Sequence, residues 1–201
     1  MLPTRSTRAV VAALAVLAIA CGDITRPKAS TPNLAVSYAL TAFTGTPVNV
    51  PNAINFLGGP TRADSRFAFD VALDLDAAGR VTVLPVRYVA GSLGIALQTQ
   101  STGVPIKRVG MQQVPGTFDA LREAPSTGYD TLAVQTISPG AVLAIEMLDF
   151  SNCFTGFGGS TLYAKLTVDS VHAAERRIFT RTVVDPNCGY RGLVPDSIPT
   201  H

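Results

Sequence analysis

The chain has 201 residues, 47% of them hydrophobic, which suffices for one domain with a real core. Charged residues make up only 15%, while 17 Gly and 14 Pro accompany many Val, Thr and Leu. That composition favours strands and turns over helices, and it excludes disorder across most of the chain. The formal charge of +2 includes Arg5 and Arg8. Without residues 1–20 the balance is 14 basic to 14 acidic residues, with no basic cluster to bind nucleic acid.

Residues 1–8, MLPTRSTR, carry two Arg and no acid, and residues 9–20, AVVAALAVLAIA, are twelve apolar residues in a row. A membrane-spanning helix needs about 20. A run of this length behind a basic start is the pattern of a signal-peptide core. Ala18, Ile19 and Ala20 then place small residues ahead of Cys21. This resembles the lipobox of bacterial lipoproteins, with Ala18 where Leu is commonest. The resemblance implies cleavage before Cys21, diacylation of its thiol and acylation of its new amino group. Several acyl chains together give stable attachment to a membrane. The alternative is an ordinary secretory signal cut after Ala20, which leaves a free thiol. Gly22 follows the cysteine, where Asp marks inner-membrane retention, so the resemblance implies the outer membrane of a bacterial cell envelope. Residues 22–33, GDITRPKASTPN, hold two Pro, two Thr and a Ser and show no apolar period. They read as a flexible tether reaching at most about 40 Å.

From residue 34 to 196 a single β domain is expected, with 197–201 as a tail. The clearest signal is RFAFDVALDLDAAGRVTVLPVRYV. Phe67, Phe69, Val71, Leu73 and Leu75 alternate with Ala68, Asp70, Ala72, Asp74 and Asp76, the period of a half-buried strand. Asp76 to Gly79 reads as a turn, and Arg80 to Val89 as the return strand, with Pro85 marking an edge or bulge. Further strands are expected at Ala35–Phe43, Ser92–Thr99, Thr131–Thr136, Ala141–Leu148, Thr161–Val171 and Arg176–Val184. One short helix is expected at Phe118–Glu123, capped by Thr117 and ended by Pro125. Many closely spaced strands define an all-β fold, an antiparallel β-sandwich or open barrel.

The last two strands flank HAAE at 172–175. Setting Val171 opposite Arg176 brings Cys188 level with Gly159, six residues beyond Cys153. With Cys21 set aside, Cys153 and Cys188 form an even pair. A disulfide between them suits an exported protein. Neither has a companion His or Cys at metal-ligand spacing.

Catalytic constellations are poorly represented. The two histidines are His172, in the expected hairpin turn, and His201, the last residue; neither accompanies a Gly-framed Ser. Asp70, Asp74 and Asp76 share a strand face, and DLDAAG begins like a calcium loop, but no acid stands at the closing position. Asp and Gly also serve a hairpin turn for their own reasons. Glu146 and Asp149 form a glycosidase-like pair only if the fold happens to face them together. The aromatic stretch DFSNCFTGFGGSTLY places Phe150, Phe154, Phe157 and Tyr163 around a Gly-rich loop. These rings either cap the core or present a hydrophobic surface to a ligand or partner.

FAFDVALDLDAAGRVTV, then TFDALREAPSTGYDTL, then LYAKLTV with RRIFTRTVV occur in an order that resembles the HmuY-like haem-binding lipoproteins, over roughly residues 66–184. The resemblance implies an all-β, lipid-anchored domain that carries haem between His or Met side chains. The family's Gly-rich stretch with a leading Asn is replaced by VRYVAGSLG. The available axial ligands are Met111, Met147 and His172, of which Met147 reads as core. Two functions therefore stand at this point. One is a lipid-anchored structural or interaction module that engages another envelope protein, with neither cofactor nor catalysis. The other is a binding protein for a small hydrophobic or haem-like ligand, using Phe154, Phe157, Tyr163, Met111 and His172. An enzyme ranks third.

Overall fold

The computed structural model describes residues 28–47, 49–64, 66–92, 106–148, 153 and 161–200. In chain order the elements are β1 (Leu34–Thr41), β2 (Ala53–Asn55), β3 (Gly59–Thr61), β4 (Val71–Leu75), β5 (Val81–Pro85), helix α1 (Val86–Ser92), β6 (Arg108–Val114), β7 (Gln135–Ile137), β8 (Val142–Leu148), β9 (Leu162–His172) and β10 (Arg177–Asp185). They form two antiparallel five-stranded sheets. The first runs β1-β10-β9-β8-β6 and the second β3-β2-β4-β5-β7. The fold is all-β and sandwich-like, not a closed barrel.

The two sheets face each other across the main core. Leu143, Ile145 and Met147 of β8, with Leu162, Ala164, Leu166 and Val168 of β9, alternate onto the inner face of the first sheet. They share a buried cluster with Leu73 and Leu75 of β4 and Val81 and Val83 of β5. Each such Leu, Ile, Met or Val side chain contributes about 1.5–3 kcal/mol by leaving water. The outer face of the first sheet is also partly covered. Residues 115–134 lay Phe118, Leu121 and Tyr129 over Val114, Val142, Ala144 and Val183, and Ala124 meets Tyr163 and Leu193.

Several sequence expectations are corrected. Phe67 and Phe69 are fully buried, yet they precede the strand: Phe67 adopts φ 49° at the end of a turn closed by its own N–H to Asp64 O. A large residue in the left-handed region is uncommon and ends the extended run there. The return strand stops at Pro85, which lacks the N–H to extend the ladder, and α1 begins at Val86. Val86, Val89 and Ala90 are its buried residues, a helical spacing concealed within an apolar run. The segment expected as the one helix, Phe118–Glu123, makes only a turn, in which Ala120 N–H bonds both Thr117 O and Thr117 Oγ1. Strand Thr131–Thr136 shrinks to β7. Expected strand Ser92–Thr99 falls outside the described residues beyond Ser92. Strands β2, β3 and β6 were not anticipated.

The closing hairpin has the expected strands with a shifted register. His172 opposes Arg177 around the 3-10 turn Ala173–Glu175, and a bulge follows between Phe179 and Thr180, so that Thr180 opposes Val168. The expected tether is shorter than its composition implied. Ser30 and Thr31 N–H groups donate to Asn187 Oδ1 at 3.0 and 3.1 Å, and Asn33 Nδ2 donates to Gly192 O and Val194 O at 2.7 and 2.9 Å. Asn33 N–H also bonds Ser197 O, so residues expected as tail belong to the folded unit. Residues 22–27 of the expected tether lie outside the described residues.

Candidate functional site

Cys153 and Cys188 are joined by a disulfide, with their Cα atoms 5.4 Å apart. Cys153 is buried in the main core and Cys188 packs against it. The neighbouring aromatics Phe154 and Phe157 lie outside the described residues, as do Phe150, Asp149 and Cys21. Tyr163 sits on the outer face of the first sheet, where its hydroxyl donates to Glu146 Oε1 at 3.1 Å.

The structure does not bring Met111 and His172 together. Met111 is fully buried in the main core on β6 and is aligned through Ile145 with Ala164. His172 lies eight residues further along β9, about 26 Å at the rise of a strand. Its ring packs on Phe179 at 5.1 Å. Met147 is buried core, as expected.

The three acids of the first hairpin serve three separate structural tasks. Asp70 is buried, accepts from Phe56 N–H at 2.7 Å and pairs with Lys107 at 2.5 Å. Asp74 ties the two sheets at one end. Its Oδ1 accepts from Arg176 Nη2 at 2.9 Å, and Arg176 Nε donates to Thr44 O at 2.8 Å. Asp76 closes the turn by accepting from the Ala78 and Arg80 N–H groups, and the backbone bond from Arg80 is first among the causes that hold its carboxyl below the ordinary range. Among the described residues no three His, Cys, Asp or Glu side chains gather as a metal site.

The buried polar chemistry lies under the 115–134 layer. Lys165 points out from β9 beneath the Phe118 turn, fully buried, and donates to Phe118 O at 2.7 Å and Leu121 O at 2.9 Å. Its ammonium lies 4.5 Å from the centre of the Phe118 ring. Burial pulls its pKa down, and the Asp119 carboxylate opposes that shift. Both carbonyls belong to one turn, so the side chain pins that turn to the sheet. Tyr129 packs beside Tyr163 with ring centres 6.2 Å apart and donates to Pro125 O at 2.9 Å. Burial raises its pKa, with the nearby Tyr163 and Glu146 adding to the effect.

Strand β1 offers a different kind of site. Ala42 N–H points towards the hairpin and bonds Arg176 O, whereas Thr41 N–H points the other way and bonds Pro51 O. With the period of two along a strand, Ala35, Ser37 and Ala39 therefore turn their N–H and C=O groups away from β10. These three residues are exposed, and their six outward groups have no partner among the described residues. Asn33 and Thr41 close the two ends, by their bonds to Ser197 and Pro51. The result is an open edge five residues long. On the core-side face, Leu34 and Val36 are each 42% exposed. On the outer face, a cleft of about 200 Å3 is lined by Ala35, Ser37, Phe118, Asp119, Arg181 and Pro195, among others. Arg181 is already engaged, with Nε at 2.9 Å from Asp169 Oδ1 and its guanidinium 5.0 Å from the Phe118 ring centre.

The sequence showed β1 as a strand but not as an edge. Its one available signal is LAVSYALT itself, which contains neither a charge nor a proline, the residues that commonly blunt an exposed edge. Comparison of the chain with family models, curated proteins and solved structures found no match.

Proposed function

We propose that this chain is a lipid-anchored protein of a bacterial cell envelope, acting as a non-catalytic interaction module. The anchor rests on residues 1–21: a basic start, twelve apolar residues, then Ala18-Ile19-Ala20-Cys21. Gly22 after the cysteine favours the outer membrane. The disulfide suits the exported compartment that such a leader implies. The observation that carries the interaction reading is the open edge of β1, which starts at the point where the chain joins the domain. An unpaired strand edge is a template for another backbone. From Cys21 to Ala35 the chain runs fourteen residues, so the start of the edge is held within about 50 Å of the attachment point.

The experiment is fractionation of cells that produce the intact protein, with mass spectrometry of its N-terminal peptide. Acylation at Cys21 and release of a Cys21→Ser variant from the membrane are the expected results. A Cys21→Ser protein that remains membrane-bound overturns the anchor. A haem-like ligand held by Met111 and His172 finds no support in their separation.

A further inference from the structure

We infer that the β1 edge is a docking slot for a short, uncharged, extended peptide segment of another protein, which joins the first sheet as an added strand. The inference rests on the interaction-module reading above and names the partner's chemistry.

Length comes from the closures. The outward groups available are those of Ala35, Ser37 and Ala39. Beyond them, Ser197 already bonds Asn33 and Pro51 already bonds Thr41. A five-residue segment satisfies all six groups, while a longer straight strand meets the closing segments at both ends. For the same reason a second copy of this chain is a poor occupant, since its own closures flank its own β1.

The absence of charge comes from the surroundings. No residue of β1 is ionisable except Tyr38, whose phenol is buried on the core side and held protonated by desolvation. In the adjoining cleft Arg181 is paired with Asp169, and Asp119 faces the field of Lys165. An acidic segment loses hydration here without gaining an unengaged cation, and a basic one gains only the exposed Asp119 carboxylate, a solvent-screened partner whose field the Lys165 charge already offsets.

Side-chain preference comes from the alternation. Residues directly opposite Val36 and Tyr38 fall on the core-side face. There the half-exposed Leu34 and Val36 favour β-branched neighbours. The residue opposite Ser37 falls on the outer face, over the 200 Å3 cleft floored by Phe118, which has room for one aliphatic side chain. Backbone bonds supply the affinity and this cleft the selectivity, as in other strand-addition sites.

The test uses the full chain in detergent and the blocked peptide acetyl-Thr-Val-Leu-Val-Thr-amide. It is run beside a panel of other uncharged pentapeptides and analogues with a central Lys or Glu, and read by amide NMR shifts and calorimetry. Saturable binding that shifts the Ala35, Ser37 and Ala39 amides is expected. Ser37→Pro removes one outward donor at an edge position that tolerates proline, and should weaken binding at least about tenfold. Ser37→Lys, which leaves every backbone bond possible but adds a charge beside the cleft, should also weaken it, and amide shifts outside β1 that match the parent protein show that both variants are folded. Methylating alternate amides of the peptide should abolish binding, and a central charge should weaken it about fivefold or more.

The inference is overturned if no uncharged peptide of the panel shifts those amides, if binding ignores both Ser37 variants, or if charged peptides bind equally well. It is also overturned if those amides become protected only as protein concentration rises, since the occupant is then a second copy. Failure here together with release of the Cys21→Ser variant leaves the anchored module standing without this slot. Peptide binding together with retention of Cys21→Ser removes the anchor and keeps the slot.

Discussion

The first sheet ends in β6 on one side and β1 on the other, and the two ends are finished differently. At β6, Met111 exchanges both backbone bonds with Asp130, at 2.9 and 3.1 Å. Tyr129 lies over Gly110 so closely that a Cβ there would stand 2.7 Å from the Tyr129 Cβ. The 115–134 layer that supplies both residues is pinned by Lys165. At β1 the equivalent backbone groups face solvent, and bonds close only the two corners. Edge protection is thus local on both sides, a single loop over the middle of β6 and separate segments at the two corners of β1. The contrast is one of position: among the described residues a loop crosses the middle of β6 at Met111, whereas β1 is closed at its corners and open along its middle.

Three predictions probe that contrast. The largest effect is expected at the pin. Lys165→Ala leaves two buried carbonyls without donors and opens a space beneath Phe118. It should cost about 3 kcal/mol in urea unfolding. It should also speed amide exchange in 115–134 while leaving Ala35–Ala39 unchanged. Equal acceleration at both edges contradicts a layer that acts on β6 alone. Next, Gly110→Ala pushes against the Tyr129 Cβ and should cost about 2 kcal/mol, with loss of exchange protection at Met111 and Asp130. A neutral outcome would mean that Tyr129 is free to move off the edge.

The smallest effect concerns alkaline pH. Burial holds the Tyr129 and Tyr38 phenols protonated above their ordinary value of 10.0. In the unfolded chain they ionise near that value, so the folded state retains more protons. Stability is therefore complete below pH 10 and falls as pH rises beyond it. Tyr129→Phe should flatten this alkaline decline and leave the share due to Tyr38, one group at each side of the sheet. Chemical unfolding of both proteins on either side of that pH reads the difference. An unchanged slope shows that Tyr129 is not shielded by its layer.

How much of this was legible varies with the reach of the interactions involved. The β8, β9 and β10 strands and the turn at Asp76–Gly79 follow from alternation and turn chemistry, which act within a few residues. The pairing of Cys153 with Cys188 was anticipated even though the hairpin register was displaced. The displacement came from the left-handed Arg176, φ 52°, and from the bulge at Phe179–Thr180. Neither leaves a mark in composition. Strand β6, RVGMQQV, was missed because its glycine and glutamines weaken the pattern. Gly110 makes room for Tyr129, and Gln112 Nε2 donates to Thr127 O at 2.7 Å, so both answer to the covering loop. The candidate site was less legible still. Met111 and His172 looked equally available as ligands until one proved to be core and the other a hairpin residue.

Alternation of apolar residues determined by itself that this is a β protein with a filled core, because each strand carries its own inside and outside. The cysteine count and the residues around Cys21 likewise carried the expectation of export without any fold. Only the tertiary structure decided which strands lie at the edges, that residues 30–33 join the folded unit, and that a loop crosses the middle of β6 while the middle of β1 stays open. Those outcomes depend on groups as distant in the chain as Asn33 and Ser197, or Met111 and Asp130, whose meeting is set by chain path and not by local preference.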